Sequence, residues 1–178
     1  RTVMNGTYFV DKSELLEELI PALEQEQRFF CITRPRRFGK TVMANMIAAF
    51  FEKTEKQPLF DGLKISKYAP YKAQAGQHDV IYIDFSEMPR ECQNYSDYIS
   101  RIQDGLIRDL KEAYPEIGIE EQAAVWDILS VIFNRTGHKF IFVMDEWDAV
   151  FHMSFVTERD RENFLLFLKL LLKGQSYV

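Results

Sequence analysis

Gly39-Lys40-Thr41 is the triplet in this chain with the most specific chemistry open to it. A bound phosphate needs donors that approach without a side chain in the way, a mobile positive charge, and an oxygen able to reach a divalent metal. Gly39 permits close backbone approach, and the amides opening a following helix, through Thr41 and Val42, point at an anion. Lys40 would reach the β- and γ-phosphates, and the Thr41 hydroxyl would coordinate Mg2+. A second pair fits the same ligand. The apolar run Ile141-Phe142-Val143-Met144 ends in Asp145-Glu146, and a parallel strand delivers such carboxylates to the sheet edge where open α/β sheets bind ligands. Asp145 would hold Mg2+, an ion that prefers carboxylate and water oxygens. Glu146 would be the general base for the water attacking the γ-phosphate. Each half alone has an ordinary explanation: a bare Gly-Lys-Thr also arises for plain structural reasons, and strand-end acids are often merely solvated. Together they argue for one site, because both need the same ligand and stand in compatible contexts.

The loop departs from the full phosphate-loop pattern G-x-x-x-x-G-K-[ST]. Arg34 occupies the first glycine position and is followed by Pro35. Arginine does not visit positive-φ conformations cheaply, and proline deletes a backbone donor. The compensating reading is that Arg34, Arg36 and Arg37 add side-chain charge that the backbone cradle lacks. The nucleotide contacts then fall to Arg34, Arg37, Phe38, Gly39, Lys40, Thr41 and Val42. The metal falls to Thr41 and Asp145, and the catalytic roles to Lys40 and Glu146. The same density of cations could instead face nucleic acid, although it coincides with the loop that must face phosphate.

These residues need a strand, a loop and a helix to hold them. Residues 28–33 (RFFCIT) form an apolar run of strand length that leads into the loop. Beyond it Val42, Met43, Met46, Ile47, Phe50 and Phe51 recur with helical spacing. Upstream, Asp11 followed by Glu14 reads as a capping box for a helix with Leu15, Leu16, Leu19 and Leu23 on one side, which Pro21 should kink or divide. Residues 53–79 are the loosest stretch, with a short strand expected at 63–65. Residues 80–85 (VIYIDF) and 139–144 (KFIFVM) are strands by their branched and aromatic content. Asn94 or Ser96 can cap a helix striped by Tyr98, Ile99, Ile102, Leu106, Leu110 and Ala113, which Pro115 and Gly118 stop. A further helix is expected over about residues 120–133. The last begins near Thr157 and is apolar almost all round, so it should be buried on several sides or cover a continuing hydrophobic surface. Alternating strands and helices imply an α/β fold, a parallel sheet flanked by helices.

With 178 residues there is room for one domain or most of one. A hydrophobic fraction of 47% with 28% charged residues excludes disordered and collagen-like chains. Fifteen Phe, eight Tyr and two Trp supply surface for a core. The net charge of −5 argues against a general nucleic-acid coat but leaves a local basic site open. Two cysteines, Cys31 and Cys92, fit a reducing compartment. No apolar run is long enough for a membrane span, so a cytoplasmic protein is expected. Cys31 reads as a small buried hydrophobe and Cys92 as a loop thiol. His78, His138 and His152 lack the spacing of a zinc site.

Four segments carry a resemblance. Tyr8-Phe9-Val10-Asp11-Lys12-Ser13, Thr33-Arg34-Pro35-Arg36-Arg37-Phe38-Gly39-Lys40-Thr41, Leu59-Phe60-Asp61-Gly62-Leu63-Lys64-Ile65 and Asp145-Glu146-Trp147-Asp148 resemble the bacterial and archaeal AAA-ATPase-like family. That family has a divergent loop of the form R-P-R-R-F-G-K-[ST] and is often fused to a C-terminal PD-(D/E)XK nuclease-like domain. The resemblance runs from about Tyr8 to Lys173 and implies a P-loop NTPase-type fold using ATP and Mg2+. Arg34 is then the family's normal residue. Trp147 where Tyr is common, and Asp79 where Pro often precedes the strand, are peripheral departures. In such folds a further strand inserts between the metal-binding strand and the phosphate-loop strand, and this sequence stops at Val178, just after the helix that would precede it. The expectation is an N-terminal portion, residues 1–178, of a longer protein, lacking its C-terminal strands unless something else fills the seam. Hydrolysis would drive attached domains, with a nuclease-like domain, nucleic acid and further copies of the chain as partners. A nucleotide-gated switch with little or no hydrolysis is the alternative, and an unliganded structural fragment packing through its last helix is a third reading.

Several residues have a plainer role beside a functional one. Asp84 reads first as a strand-ending turn acid and second as an outer metal ligand. Tyr8, Phe9 and Lys12 would wall an adenine or simply pack the N-terminal segment. Asp148 could cap its turn or assist catalysis.

Overall fold

The computed structural model describes residues 10–25, 29–33, 35, 37–54, 59–87, 92–120 and 122–178. Arg28, Arg34, Arg36, Tyr8 and Phe9, all given roles above, lie outside them. The described elements are α1 (Leu15–Glu24), α2 (Lys40–Phe51), a 3-10 turn (Lys64–Lys67), α3 (Tyr71–Gln74), β1 (Asp79–Asp84), α4 (Tyr95–Ala113), α5 (Val125–Thr136), β2 (Phe140–Asp145), a second 3-10 turn (Ala149–His152) and α6 (Glu158–Leu172). Strands β1 and β2 pair in parallel, giving the α/β class. The chain divides into two compact units, one running up to Tyr82 and returning for 140–145, the other comprising 83–139 and 146–178.

The first unit is built on α2. Its apolar spacing buries Met43, Ile47, Phe50 and Phe51 on one side. Phe50, fully buried, meets Phe51 and Phe60 edge-to-face at centroid distances of 4.9 and 5.3 Å, the arrangement that ring quadrupoles favour. Leu16 and Ile20 of α1, Ile65, Tyr71 and Val143 of β2 close the same core. The C-terminal end of α2 is stitched to the approach to β1: Gly76 N–H donates to Phe50 O (2.8 Å), His78 N–H to Phe51 O (2.9 Å), and Lys53 N–H to His78 O (2.9 Å). An ion pair of 2.7 Å between Lys53 and Asp79 lies at the same corner.

In the second unit Asn94 caps α4 by accepting from Asp97 N–H, and Thr157 opens α6 with a reciprocal capping box to Asp160. Gly137 takes the left-handed conformation that ends α5. Phe164, Phe167 and Leu171 of α6 are buried, with Phe164 against Phe85 at 5.3 Å. Tyr98 donates to Phe85 O and Tyr177 to Leu171 O, so these buried rings satisfy their hydroxyls.

Several local expectations are corrected. Residues 29–33 form no strand: Phe29 and Phe30 are exposed, and so is Cys31, which is therefore not a core hydrophobe. Strand-type residues become a strand only beside a partner that completes the ladder, and the described strands pair with each other. Residues 63–65 lead into a 3-10 turn because side chains, not a neighbouring strand, take the N–H groups of Lys64 and Ile65. Asp11 does not cap α1, whose N-cap residue Glu14 makes no side-chain cap, and Pro21 does not divide that helix. Helix α5 begins at Val125 rather than near residue 120. Helix α6 is buried along one side, with Leu165, Leu166 and Leu170 exposed, which corrects the expectation of burial on several sides and leaves that of a continuing hydrophobic surface. Among the described residues no helix is long and apolar enough to cross a membrane.

Candidate functional site

The loop before α2 turns through two left-handed residues, Arg37 (φ 67°) and Gly39 (φ 77°). Glycine adopts this region freely, whereas for arginine it is strained. The Arg34 position, where the sequence places the conformational problem, lies outside the described residues; among those described it is Arg37 that takes the left-handed region. Phe38 N–H donates to Pro35 O (3.3 Å), and Gly39, as the N-cap residue, accepts from Met43 N–H (3.0 Å) through its carbonyl. Arg37, Phe38, Thr41 and Val42 are exposed, while Gly39 and Lys40 are half-buried. The first turn of α2 contains no acidic residue of its own, which suits the partial positive charge of a helix end to an anion.

Asp145 is the last residue of β2 and is buried, at 6% exposure. The Tyr82 hydroxyl, from the adjacent strand, donates to its Oδ2 over a long 3.4 Å. Glu146 follows at once in a left-handed conformation (φ 48°) and opens a turn in which Ala149 N–H donates to Glu146 O (2.8 Å). Helix α2 packs along β2. Its C-terminal end is fixed at the start of β1, and β1 runs parallel to β2. A helix of twelve residues rises about 18 Å, and a strand of six residues about 20 Å. The first turn of α2 accordingly lies toward the edge at which β2 delivers Asp145. Glu146, the next residue in the chain, belongs to the second unit.

The N-terminal segment carries the contact that sequence reasoning missed. Asp11 accepts from Ser13 N–H (2.9 Å) and from Lys64 N–H (2.7 Å), and the fully buried Ser13 hydroxyl accepts from Ile65 N–H (3.1 Å). Burial pulls the Asp11 carboxyl upward, but the hydrogen bonds from Ser13 and Lys64, with the Lys64 charge, outweigh it and hold the group below its ordinary range. Lys64 is also paired with Glu14 at 2.8 Å. Between Asp11 and Ser13, Lys12 extends its Nζ to the Phe38 carbonyl at 3.4 Å. No short-range pattern signals these contacts, since Lys64 is 53 residues from Asp11.

Of the secondary candidates Asp84 and Asp148, Asp84 shows its plainer role and Asp148 does not. Asp84 accepts from both the N–H and the hydroxyl of Ser86, at 2.8 and 2.7 Å, as a turn acid does. Asp148 precedes the second 3-10 turn without a side-chain cap, and its carbonyl rather than its carboxylate takes the Phe151 N–H.

No solved structure matches this chain. A protein of Azotobacter chroococcum mcd 1, described as "Uncharacterized protein in vnfD 5'region", is 27% identical over 142 residues, covering 79% of this chain and 25% of that protein. The chain thus spans about a quarter of the length of that relative. The family described as "Predicted AAA-ATPase" matches residues 1–176, and the chain belongs to it.

Proposed function

We propose that the chain is the ATP-binding part of an Mg2+-dependent ATPase with a P-loop NTPase-type fold. The supporting observation is the pairing of elements in the first unit: a left-handed Gly39 opening a helix with Lys40 and Thr41, packed along the strand that ends in the buried Asp145. Backbone N–H groups at the helix start and the Lys40 ammonium would hold the phosphates. Arg37 and Phe38 would line the loop side, and Arg34 would add charge there by the family resemblance. Glu146 would accept a proton from the attacking water. The donor set fits magnesium, because the Thr41 hydroxyl and the Asp145 carboxylate are hard oxygen ligands; the ion would neutralise charge on the phosphate oxygens. Since the relative is about four times longer than the matched region, we further propose that nucleotide state is coupled to additional domains. A nuclease-like domain is the kind that the family resemblance implies.

The test is a pair of variants. Excess ATP at 100 times its dissociation constant should stabilise the native state by about 2.7 kcal/mol, raising the melting temperature by roughly 5–10 °C for a chain of this size. Lys40→Ala should abolish that rise, and an unchanged rise in the variant would remove the loop from binding. Glu146→Gln should keep the rise and lose phosphate release. A wild type that binds ATP and releases no phosphate would favour the switch instead.

A further inference from the structure

The motif Asp11-Lys12-Ser13 has two side chains committed to holding backbone and one that leaves for the nucleotide loop. Asp11 and Ser13 fix residues 11–13 against the N–H groups of Lys64 and Ile65. The Lys12 carbonyl accepts from Leu15 N–H at 3.2 Å, which ties the same segment to the start of α1. With its backbone held on both sides, Lys12 spans 26 residues of sequence to place Nζ within hydrogen-bond range of Phe38 O. That carbonyl belongs to the peptide unit whose other end is the Gly39 N–H. In a trans peptide the C=O and N–H of one unit point in opposite directions. A cation bound to the Phe38 oxygen therefore sets the direction of the Gly39 N–H, away from Lys12, and polarises the amide so that it donates more strongly.

We propose that Lys12 is a positioning residue for the phosphate loop: by holding the Phe38 carbonyl it aims the Gly39 N–H at a nucleotide phosphate. This rests on the reading of Gly39-Lys40-Thr41 as a nucleotide site. The ligand of the aimed N–H is a phosphate oxygen of a nucleoside di- or triphosphate, and Lys12 itself does not touch it. Met43 N–H holds the next carbonyl, that of Gly39, so both carbonyls are supported on the side away from the proposed anion.

The experiment is calorimetric titration of the full chain with ATP at a temperature well below melting, using wild type, Lys40→Ala, Lys12→Met and Lys12→Arg. Lys12 is exposed, so Lys12→Met should melt close to wild type without ligand. Its ATP affinity should fall about tenfold, the scale of one charge-assisted hydrogen bond, and Lys12→Arg, which restores a cationic donor, should recover most of it. A purely structural role would lower the melting temperature and leave affinity intact. If Lys40→Ala abolishes binding while Lys12→Met loses less than about threefold, Lys12 has no positioning role and the nucleotide site stands. If wild type shows no ATP binding, or Lys40→Ala binds like wild type, the site reading fails and this proposal with it. Should Lys12→Met not fold, Lys12→Gln against Lys12→Arg carries the same comparison with the same threshold.

Discussion

Replacing Ser13 by alanine tests whether the N-terminal segment is held by buried hydrogen bonds or merely rests on the surface. Ser13 is fully buried, and its hydroxyl accepts from the N–H of Ile65, itself fully buried, at 3.1 Å. Alanine keeps the Cβ and removes the acceptor, so a buried donor is left without its partner. Such a loss costs about 1–3 kcal/mol. At about 2–4 °C per kcal/mol for a chain of this size, the middle of that range lowers the melting temperature by roughly 4–8 °C. Lys64→Ala is the internal control, because it removes the Lys64–Glu14 pair whose side chains are 51% and 60% exposed. Solvent screening leaves such an exposed pair little weight in stability. The assay is urea denaturation, where the midpoint should fall for Ser13→Ala with little change in slope. A Ser13→Ala variant no less stable than Lys64→Ala would show that the Ser13–Ile65 bond does not hold the segment, and would weaken the geometric argument for Lys12.

Two further outcomes follow from the strained and titrating residues. Burial lowers the His78 pKa below its ordinary 6.5, with Asp79 opposing and Lys53 assisting; its stabilisation is complete above pH 6.5 and lost as pH falls through the lower folded value, so His78→Gln should lose less melting temperature than wild type between pH 7 and 5, and equal losses would remove His78 from the pH response. Glu146 sits at φ 48°, a conformation costing about 1–2 kcal/mol for a residue with a Cβ, so Glu146→Gly should melt above Glu146→Ala, the reverse of the usual order; Ala equal to or above Gly would show that the backbone is not strained there.

What could be read from the sequence was local. The spacing of Met43, Ile47 and Phe50 sets the buried side of α2 because a helix repeats every 3.6 residues, whatever lies beyond it. Asn94 caps its helix through a residue three positions on, and the helix expected from near Thr157 does open there, so in each case the signal and the structure share one short window. The strands at residues 80–85 and 139–144 were displaced by a single residue from β1 and β2. What failed depended on distant partners. Asp11-x-x-Glu14 has the form of a capping box, yet Asp11 bonds Lys64 N–H and Glu14 pairs with Lys64. Residues 28–33 have strand composition, but composition supplies no neighbour. At the candidate site, residue types and spacing singled out Gly39, Lys40, Thr41 and Asp145. The contribution of Lys12 rests on a contact between segments that sequence windows do not join.

That division has a physical reason at the loop itself. A loop that offers its amide N–H groups to an anion cannot also spend them on sheet ladders, so its support must come through carbonyls and side chains. The contacts of the described residues follow this rule: Lys12 holds the Phe38 carbonyl, Met43 holds the Gly39 carbonyl, and Phe38 N–H closes the turn onto Pro35 O. Arg37 lies inside that turn with φ 67°, a strained conformation that persists only when its surroundings fix it. The bonds at Phe38 fix it from the C-terminal side, and one of them, at the carbonyl, comes from Lys12, which Asp11 and Ser13 hold in place. Strain in the loop and order in the N-terminal segment are therefore two ends of one mechanical connection, and weakening the second should relax the first.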